Sequence, residues 1–210
     1  MQKKSCDPSM LPEPIRIGLT MRITSAQGYL EPRDALAQDW GAFLAAALPE
    51  AAWLALPNLG SDRIRAYCEA WGVNRLILTG GDDIGATPQR DETESALLNW
   101  AAETGAPVLG ICRGMQIMAH QTGGPLRAVQ DHVATRHAVT GAITKQVNSF
   151  HACGLASCPD GFTVLAQAAD NTIEAMRHAH HPWEAWMWHP ERESAPYDPI
   201  DIQRIRTLFL

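Results

Sequence analysis

The chain has 210 residues, 46% hydrophobic and 19% charged, which is ordinary for a globular protein with a substantial core. Its formal net charge is −6 and it has no long run of Lys or Arg, which argues against nucleic acid as a partner. No apolar stretch approaches the roughly 20 residues that span a bilayer, and Lys3 and Lys4 precede no apolar segment, so we expect a cytoplasmic protein without a membrane partner.

The order of apolar segments predicts an α/β fold. We interpret residues 1–13 as a loose leader and residues 14–210 as a single domain, because no linker or internal repeat divides the chain. Strands alternate with helices in the first half, which predicts a mostly parallel, flavodoxin-like sheet flanked by helices. The predicted strands of this half are residues 15–21, 52–56, 73–78 and 106–111. The predicted helices are residues 34–48, 61–71, 91–103 and 114–121.

Polar residues and glycines mark the ends of two of these helices. Ser61 is the predicted N-cap of one helix, and Asp91 with Glu94 three residues on is the predicted capping box of another. Gly72 and Gly105 follow their last turns. The second half of the chain is predicted to add antiparallel strands and a last helix, at residues 139–147, 163–168, 173–176, 184–188 and 200–210.

The five cysteines do not form a regular framework. Their odd number argues against a set of disulfides, and the pair Cys153 and Cys158 lacks the second pair that a zinc site needs. Cys112 has a distinctive context, since residues 107–117 read as strand, sharp turn and helix, with Gly110 and Gly114 on either side. The positive end of the helix favours a reactive thiolate there, and the backbone N–H of Arg113 faces a developing oxyanion. A small buried core cysteine is the alternative interpretation.

A nucleophilic thiolate needs a histidine whose ring is held by a third group. His189 ends a predicted strand, Pro190 restricts it to extended geometry, and Glu191 is near enough to accept from its ring. An ordinary core or surface histidine stays open as the alternative. The adjacent His178, His180 and His181 lack a suitable fourth ligand, so the sequence predicts a solvated loop there and no metal site.

Three segments in this order resemble the class I glutamine amidotransferase superfamily: Gly110-Ile-Cys112-Arg-Gly-Met-Gln116, Val147-Asn-Ser-Phe-His151 and Trp188-His189-Pro-Glu191. The resemblance is closest to the hydrolase branch that includes γ-glutamyl-γ-aminobutyrate hydrolase. It implies an enzyme that hydrolyses a γ-glutamyl amide, with Cys112 as nucleophile, His189 as base and then acid, and Glu191 as its orienting partner.

The same resemblance implies further site residues. Backbone N–H groups of the Gly80-Gly81 turn and of Arg113 would form the oxyanion hole, although a simple tight turn is the alternative for the two glycines. Gln116 and the strand Asn148-Ser149-Phe150 would hold the α-amino and α-carboxylate groups of the glutamyl moiety. No cofactor is implied, and the chain has no glycine-rich loop that would bind a nucleotide cofactor.

A narrower resemblance, to γ-glutamyl-CDP-amidate hydrolases, comes from Tyr29-Leu-Glu31-Pro-Arg33-Asp34 and from residues 187–193. It implies a cytidine diphosphoramidate leaving group, made on the way to phosphoramidate-decorated surface polysaccharides. Phosphates would then need cations at the entrance, and the candidates are Arg22, Arg33, Arg113 and Arg192. The turn from Gly80 to Pro88 is longer than in the γ-aminobutyrate-type enzymes, which leaves the shape of the acceptor pocket open.

Several alternatives remain at the level of function. A γ-aminobutyrate-type hydrolase of polyamine breakdown would use the same triad, and so would a glutaminase subunit with a synthetase partner chain. A ligand-binding protein that keeps the fold is the non-enzymatic alternative. The sequence leaves a homodimer open. All catalytic interpretations require Cys112 and His189 to converge in space.

Overall fold

The computed structural model describes residues 13–210, so the predicted leader lies outside the described residues apart from Glu13. Thirteen strands are present in this part of the chain. They are β1 (Arg16–Thr20), β2 (Arg22–Ser25), β3 (Pro32–Ala35), β4 (Ala52–Leu56), β5 (Arg75–Leu78), β6 (Val108–Ile111), β7 (Leu126–Ala128), β8 (Val133–Gly141), β9 (Lys145–Phe150), β10 (Cys153–Leu155), β11 (Phe162–Ala168), β12 (Ile173–His178) and β13 (Trp183–Trp186). The α-helices are α1 (Asp39–Ala47), α2 (Ser61–Trp71), α3 (Pro88–Thr104), α4 (Arg113–Gln121) and α5 (Pro199–Phe209).

Nine of the strands form one sheet in the order β4-β1-β5-β6-β13-β12-β11-β8-β9. The first five of these strands pair in parallel, and β12, β11, β8 and β9 continue the sheet with antiparallel pairs. The expected α/β architecture with additional antiparallel strands is therefore confirmed. Strand β13 lies at the change of direction, since it is parallel to β6 and antiparallel to β12.

Helices cover the parallel part of the sheet on both faces. Helices α2, α3 and α4 pack one apolar cluster that includes Leu76 and Leu78, whereas α1 and α5 pack the other, which includes Ile77. Successive residues of β5 thus point to opposite faces, as the strand period requires. Burial on both faces explains why β5 and β6 read as continuous apolar runs.

Two predicted segment boundaries are wrong. Residues 34–38 do not belong to α1, because Asp34 lies in β3 and its carboxylate accepts two hydrogen bonds from Asn58, at 2.9 and 2.6 Å. Residues 139–147 do not form one strand, because Gly141 ends β8 at a φ of 135° and the chain turns back into β9 at Lys145.

The predicted helix N-caps are also wrong. Ser61 is the first residue of α2, where the capping position is Gly60 and no side chain caps the helix. Helix α3 begins at Pro88, whose missing N–H and fixed φ suit a first turn, so Asp91 lies inside the helix. Gly72 and Gly105 end their helices in the left-handed conformation, as predicted. Among the described residues, no helix has the length and apolar character required to cross a membrane.

Candidate active site

Cys112 lies at a tight turn between β6 and α4. Its φ of 52° and ψ of −104° are unusual for a residue with a side chain, and its N–H donates to the carbonyl of Trp186 in β13 at 2.7 Å. The flanking glycines are required by space: a Cβ on Gly110 would lie 2.6 Å from Met118 Sδ, and one on Gly114 would overlap the carbonyl of Leu78. The sequence therefore folds here into the strand–turn–helix geometry of a nucleophile elbow.

His189 is held on both sides of its backbone by one side chain. The amide of Asn148 in β9 accepts from His189 N–H at 2.9 Å and donates to His189 C=O at 2.8 Å. Pro190 then starts a short 3₁₀ helix, Pro190–Arg192, which brings Glu191 back to the imidazole. Glu191 Oε1 is 2.7 Å from His189 Nδ1, and both residues are buried. This contact leaves Nε2 as the ring nitrogen that is free for chemistry.

Cys112 and His189 converge on Gly80. A Cβ placed on Gly80 would lie 2.5 Å from His189 Cε1 and 3.5 Å from Cys112 Cβ. Burial by itself lowers the pKa of His189, but its hydrogen bonds to Cys112 and Glu191 and their negative charge raise it overall to about 9. The imidazole is therefore protonated at neutral pH beside the sulfur of Cys112.

The Gly80-Gly81 turn is anchored by a buried arginine. Arg90 Nη2 donates to the carbonyls of Thr79 and Gly80 at 2.7 and 3.2 Å. Because C=O and N–H point in opposite directions in a trans peptide, this bond directs the N–H of Gly81 away from Arg90. Gly81 has a φ of 142°, which a residue with a side chain rarely adopts. The N–H of Arg113 lies in the first turn of α4 and therefore has no acceptor within its helix, which leaves it available to an oxyanion.

The comparisons with known proteins agree with this geometry. The sequence profile described as "Glutamine amidotransferase class-I" matches residues 58–204. The chain belongs to this family. It is 32% identical over 185 residues to a γ-glutamyl-CDP-amidate hydrolase of Campylobacter jejuni, covering 85% of this chain and 90% of that protein.

A γ-glutamyl-γ-aminobutyrate hydrolase of Escherichia coli O157:H7 is 30% identical to this amidotransferase-family chain over 148 residues, covering 56% of the chain and 58% of that protein. A glutamine amidotransferase of Thermotoga maritima has the same fold in its crystal structure, with a TM-score of 0.63, 12% identity, and coverage of 84% of this chain and 76% of that one. The family resemblance predicted from the sequence is confirmed. As a member of this family, the chain is a hydrolase of amide carbon–nitrogen bonds.

One cation predicted at the entrance of the amidotransferase site is not available there. The guanidinium of Arg113 is buried and pairs with Glu94 and Asp91, so its prediction as a phosphate ligand is wrong. Glu94 also accepts from Arg90 at 2.9 Å, so two buried arginines share one buried carboxylate. The network therefore joins the Gly80-Gly81 turn to the first residue of α4. In the sequence, the close spacing of Arg90, Asp91 and Glu94 is typical of the start of a helix, so it does not indicate this ion-pair network.

The other predicted cations are accessible. Arg22 is 48% exposed, pairs loosely with Asp82 at 3.4 Å, and has its Cβ 2.9 Å from the position of a Cβ on Gly81. Arg33, across the β2–β3 hairpin, contacts Glu31 and the hydroxyl of Tyr29, each at 2.5 Å. Arg192 stacks over Phe150 at 4.7 Å from the ring centre. Arg22 therefore lies beside the Gly80-Gly81 turn, and Arg192 lies on Phe150, which contacts the ring of His189.

The four residues predicted to hold the glutamyl group differ in how far their side chains are engaged by other parts of the protein. Phe150 is half-exposed and meets the ring of His189 edge-on, with centroids 5.9 Å apart. Gln116 is buried in α4 and donates to the carbonyl of Cys153 at 2.8 Å. The amide of Asn148 is occupied by the backbone of His189, and the hydroxyl of Ser149 donates to the carbonyl of His132 at 2.6 Å. The side chains of Asn148 and Ser149 are thus engaged by the protein.

The sequence predicts no metal site, and the adjacent histidines form a turn in which His178 Nδ1 accepts from the N–H groups of His180 and His181, both at 3.0 Å. A different group of possible metal ligands is present among residues 13–210, formed by His132, His151 and Glu174. No sequence spacing predicts it, because its members come from three separated strands or strand ends that only the antiparallel part of the sheet brings together.

Proposed function

We propose that the chain hydrolyses a γ-glutamyl amide through a covalent thioester on Cys112. The observation that carries this proposal is the convergence of Cys112 and His189 on Gly80, with Glu191 fixing the imidazole through Nδ1. A cysteine at a helix N-terminus, a histidine and a carboxylate orienting it are the parts that nucleophilic acyl transfer requires.

In the first half-reaction the Cys112 thiolate attacks the γ-carbonyl carbon, and the carbonyl electron pair moves to oxygen. Backbone N–H groups of Gly81 and Arg113 stabilise this oxyanion, and one such donor is worth about 2.7–4 kcal/mol of barrier. The tetrahedral intermediate collapses as the carbon–nitrogen bond breaks and His189 Nε2–H protonates the departing nitrogen. The glutamyl group remains bound to the Cys112 sulfur as a thioester.

In the second half-reaction His189 Nε2 acts as a base. It takes a proton from water as the water oxygen attacks the thioester carbonyl, and the carbon–sulfur bond then breaks to release glutamate and the Cys112 thiolate. The imidazolium that forms stays paired with Glu191. The proton balance is closed, so the reaction requires neither metal nor cofactor.

We further propose that the leaving group is a nucleotide phosphoramidate, as the name of the C. jejuni relative states for that protein. Two accessible arginines support a phosphate-bearing leaving group: Arg22 stands beside Gly81, and Arg192 stacks on Phe150 next to His189. Guanidinium groups match phosphate oxygens in a bidentate geometry.

The test is glutamate release from three amides: γ-glutamyl-CDP-amidate, γ-glutamyl-γ-aminobutyrate and free glutamine. We expect the nucleotide amidate to have the highest kcat/KM, and Cys112→Ser to abolish turnover of all three. Arg22→Gln should raise KM about 10- to 100-fold for the nucleotide amidate alone, because a charge-assisted hydrogen bond contributes about 1.5–3 kcal/mol. Arg63→Gln, an exposed substitution on α2, is the matched control.

Other outcomes identify the alternatives. A higher kcat/KM for γ-glutamyl-γ-aminobutyrate, unaffected by Arg22→Gln, would refute the phosphate-bearing leaving group and leave the thioester mechanism standing. Hydrolysis of glutamine that appears only in the presence of a synthetase chain would indicate a glutaminase subunit. Normal turnover by Cys112→Ser would refute the mechanism itself.

A further inference from the structure

A second cluster of chemically active side chains lies in the antiparallel part of the sheet. It consists of His132, just before β8, His151, just after β9, and Glu174 in β12, and one ligand atom from each lies within 4.8 Å of the others. All three residues are at least 95% buried. The proposed mechanism uses none of them.

The inner atoms of this cluster lack hydrogen bonds. His132 Nδ1 and His151 Nε2 lie 3.2 and 3.4 Å from Glu174 Oε1, and His137 Nε2 lies 3.5 Å from the same oxygen. None of these contacts has hydrogen-bond geometry, so three ring nitrogens and both carboxylate oxygens have no partner among the described residues. Buried polar atoms without partners are costly and therefore point to a ligand that would satisfy them.

The other ring nitrogen of each ligand histidine, on the side away from Glu174, does have a hydrogen-bond partner. His132 Nε2 is 3.1 Å from a carboxylate oxygen of Asp170, and His151 Nδ1 is 3.2 Å from the carbonyl of Cys153. Both acceptors require an N–H on the outer nitrogen, which leaves a lone pair on the inner one. A histidine that binds a metal uses this arrangement, in which a carboxylate or carbonyl fixes the ring from behind.

We propose that His132, His151 and Glu174 bind one divalent transition-metal ion, beside which His137 lies through its contact with the same Glu174 oxygen. Tetrahedral Zn²⁺ with bonds of about 2.0–2.1 Å has ligand atoms about 3.3–3.4 Å apart. The separations of 3.2 and 3.4 Å between the two histidine nitrogens and Glu174 Oε1 match that edge. Imidazole and carboxylate donors suit Zn²⁺ among the common metals.

The location indicates a structural role for this metal. The backbone carbonyl of His132 accepts from Ser149 Oγ at 2.6 Å and from His151 N–H at 3.1 Å, so the ligands are tied to β9, which carries Asn148. The Cys153 carbonyl, which contacts His151 Nδ1, also accepts from Gln116 of α4. A metal here would hold together the strand and the helix that position His189 and Cys112. A cleft of about 560 Å³, lined by His132, His137 and Asp170, provides the entry path.

The test is titration of the metal-stripped, full-length protein with Zn²⁺ and, separately, Co²⁺. We expect about one equivalent of each per chain, a higher melting temperature with Zn²⁺, and a tetrahedral Co²⁺ spectrum without thiolate charge-transfer bands. Glu174→Gln should abolish binding. Asp170→Asn, at a half-exposed position outside the ligand set, should weaken it about 10- to 100-fold.

The control is His180→Gln combined with His181→Gln, which removes histidines of the exposed turn and should leave the affinity unchanged. A metal-stripped wild-type protein that binds neither ion would overturn the proposal even if Glu174→Gln fails to fold. So would thiolate bands in the Co²⁺ spectrum, or loss of binding in the His180/His181 control, because either would assign the metal to other residues.

Discussion

At the scale of single residues, Cys112 shows how the backbone prepares the nucleophile. A positive φ for a residue with a side chain costs about 1–3 kcal/mol, and it persists only where the surroundings fix it. Here the fixing contacts are the bond from Cys112 N–H to Trp186 and the two bonds that N–H groups of α4 donate to the Cys112 carbonyl, at 3.0 and 3.2 Å. The strain turns the thiol out of the strand and toward His189.

Gly80 provides a sharp test of this convergence. In Gly80→Ala the new Cβ would overlap the ring of His189 and press on Cys112, so the imidazole must move away from the sulfur. Displacement by about 1 Å costs on the order of 10²-fold in rate, and we expect kcat to fall at least that much. Steady-state kinetics would measure the effect. The control Gly41→Ala, whose Cβ would have no neighbour nearer than 3.8 Å, should leave kcat unchanged.

The pKa of His189 predicts a pH profile. Since it lies at about 9, the acid form persists through neutrality, and kcat/KM should fall only as pH rises through about 9. Glu191→Gln removes the negative charge that raises this pKa, so the alkaline limb should move to lower pH while the rate falls roughly 10²–10⁴-fold. The exposed Glu103→Gln is the control, and an unmoved limb in Glu191→Gln would contradict the assignment.

The same shift affects stability, with a definite sign. A folded-state pKa above the unfolded value of 6.5 stabilises the protein fully below about pH 6.5, and this contribution is lost as pH rises through about 9. The destabilisation caused by Glu191→Gln should therefore be largest below pH 6.5 and shrink above pH 9, as denaturant unfolding at several pH values would show.

At the scale of elements, the buried pair of Arg90 and Glu94 connects α3 to the active-site turn. Arg90→Met breaks this buried pair and leaves Arg113 as the cation that still pairs with Glu94, so we expect a destabilisation of at most about 3–5 kcal/mol, the cost of breaking a buried ion pair. It should also lower kcat at temperatures where the variant is folded, because the Thr79 and Gly80 carbonyls lose their anchor. The exposed Arg65, which pairs with Glu69 and Glu103, is the control: Arg65→Met should leave the stability almost unchanged, because solvent screens exposed ion pairs. An Arg90→Met variant with full kcat would show that the Gly80-Gly81 turn keeps its conformation without Arg90.

The elements that the sequence predicts with the observed bounds are those whose ends it marks. Residues 52–56 are an apolar run stopped by Pro57, and residues 61–71 end just before Gly72. Both are predicted with the observed bounds, although only Leu56 of β4 and Ile64 and Cys68 of α2 are buried. The hairpin of β2 and β3 is missed because its residues are mostly exposed and no apolar period marks them. The first half of β8 is missed for the same reason: the single buried residue of this strand is Val139, in its second half.

The candidate site divides along similar lines. Cys112, His189 and Glu191 are predictable because each is defined by its immediate neighbours in the chain: two glycines for the cysteine and a proline between the other two. The amide of Asn148 has its observed role only through His189, 41 positions away, and no local pattern encodes that contact. The paired state of the Arg113 guanidinium is equally invisible locally, because Glu94 meets it only after α3 and α4 pack together.

At the scale of the whole molecule, the site lies where the sheet changes from parallel to antiparallel. Ligands of open α/β sheets bind beyond the carboxyl ends of the parallel strands, and here β5, β6 and β13 lead directly to Gly80, Cys112 and His189. The antiparallel strands supply Asn148 through β9. Both parts of the sheet therefore contribute to one catalytic group, which makes independent unfolding of either part incompatible with activity.

This arrangement predicts one cooperative unfolding transition, as expected for a single domain. Separating the halves would expose both edges of the sheet beside β13, whose four residues are all buried. Cys68, in α2 of the parallel half, reports on this directly: burial raises the pKa of its thiol to about 12, so it should be labelled only after global unfolding. Urea curves from far-UV circular dichroism and from Cys68 labelling should coincide. Loss of part of the circular dichroism signal at lower urea than Cys68 labelling would instead indicate two units that unfold separately.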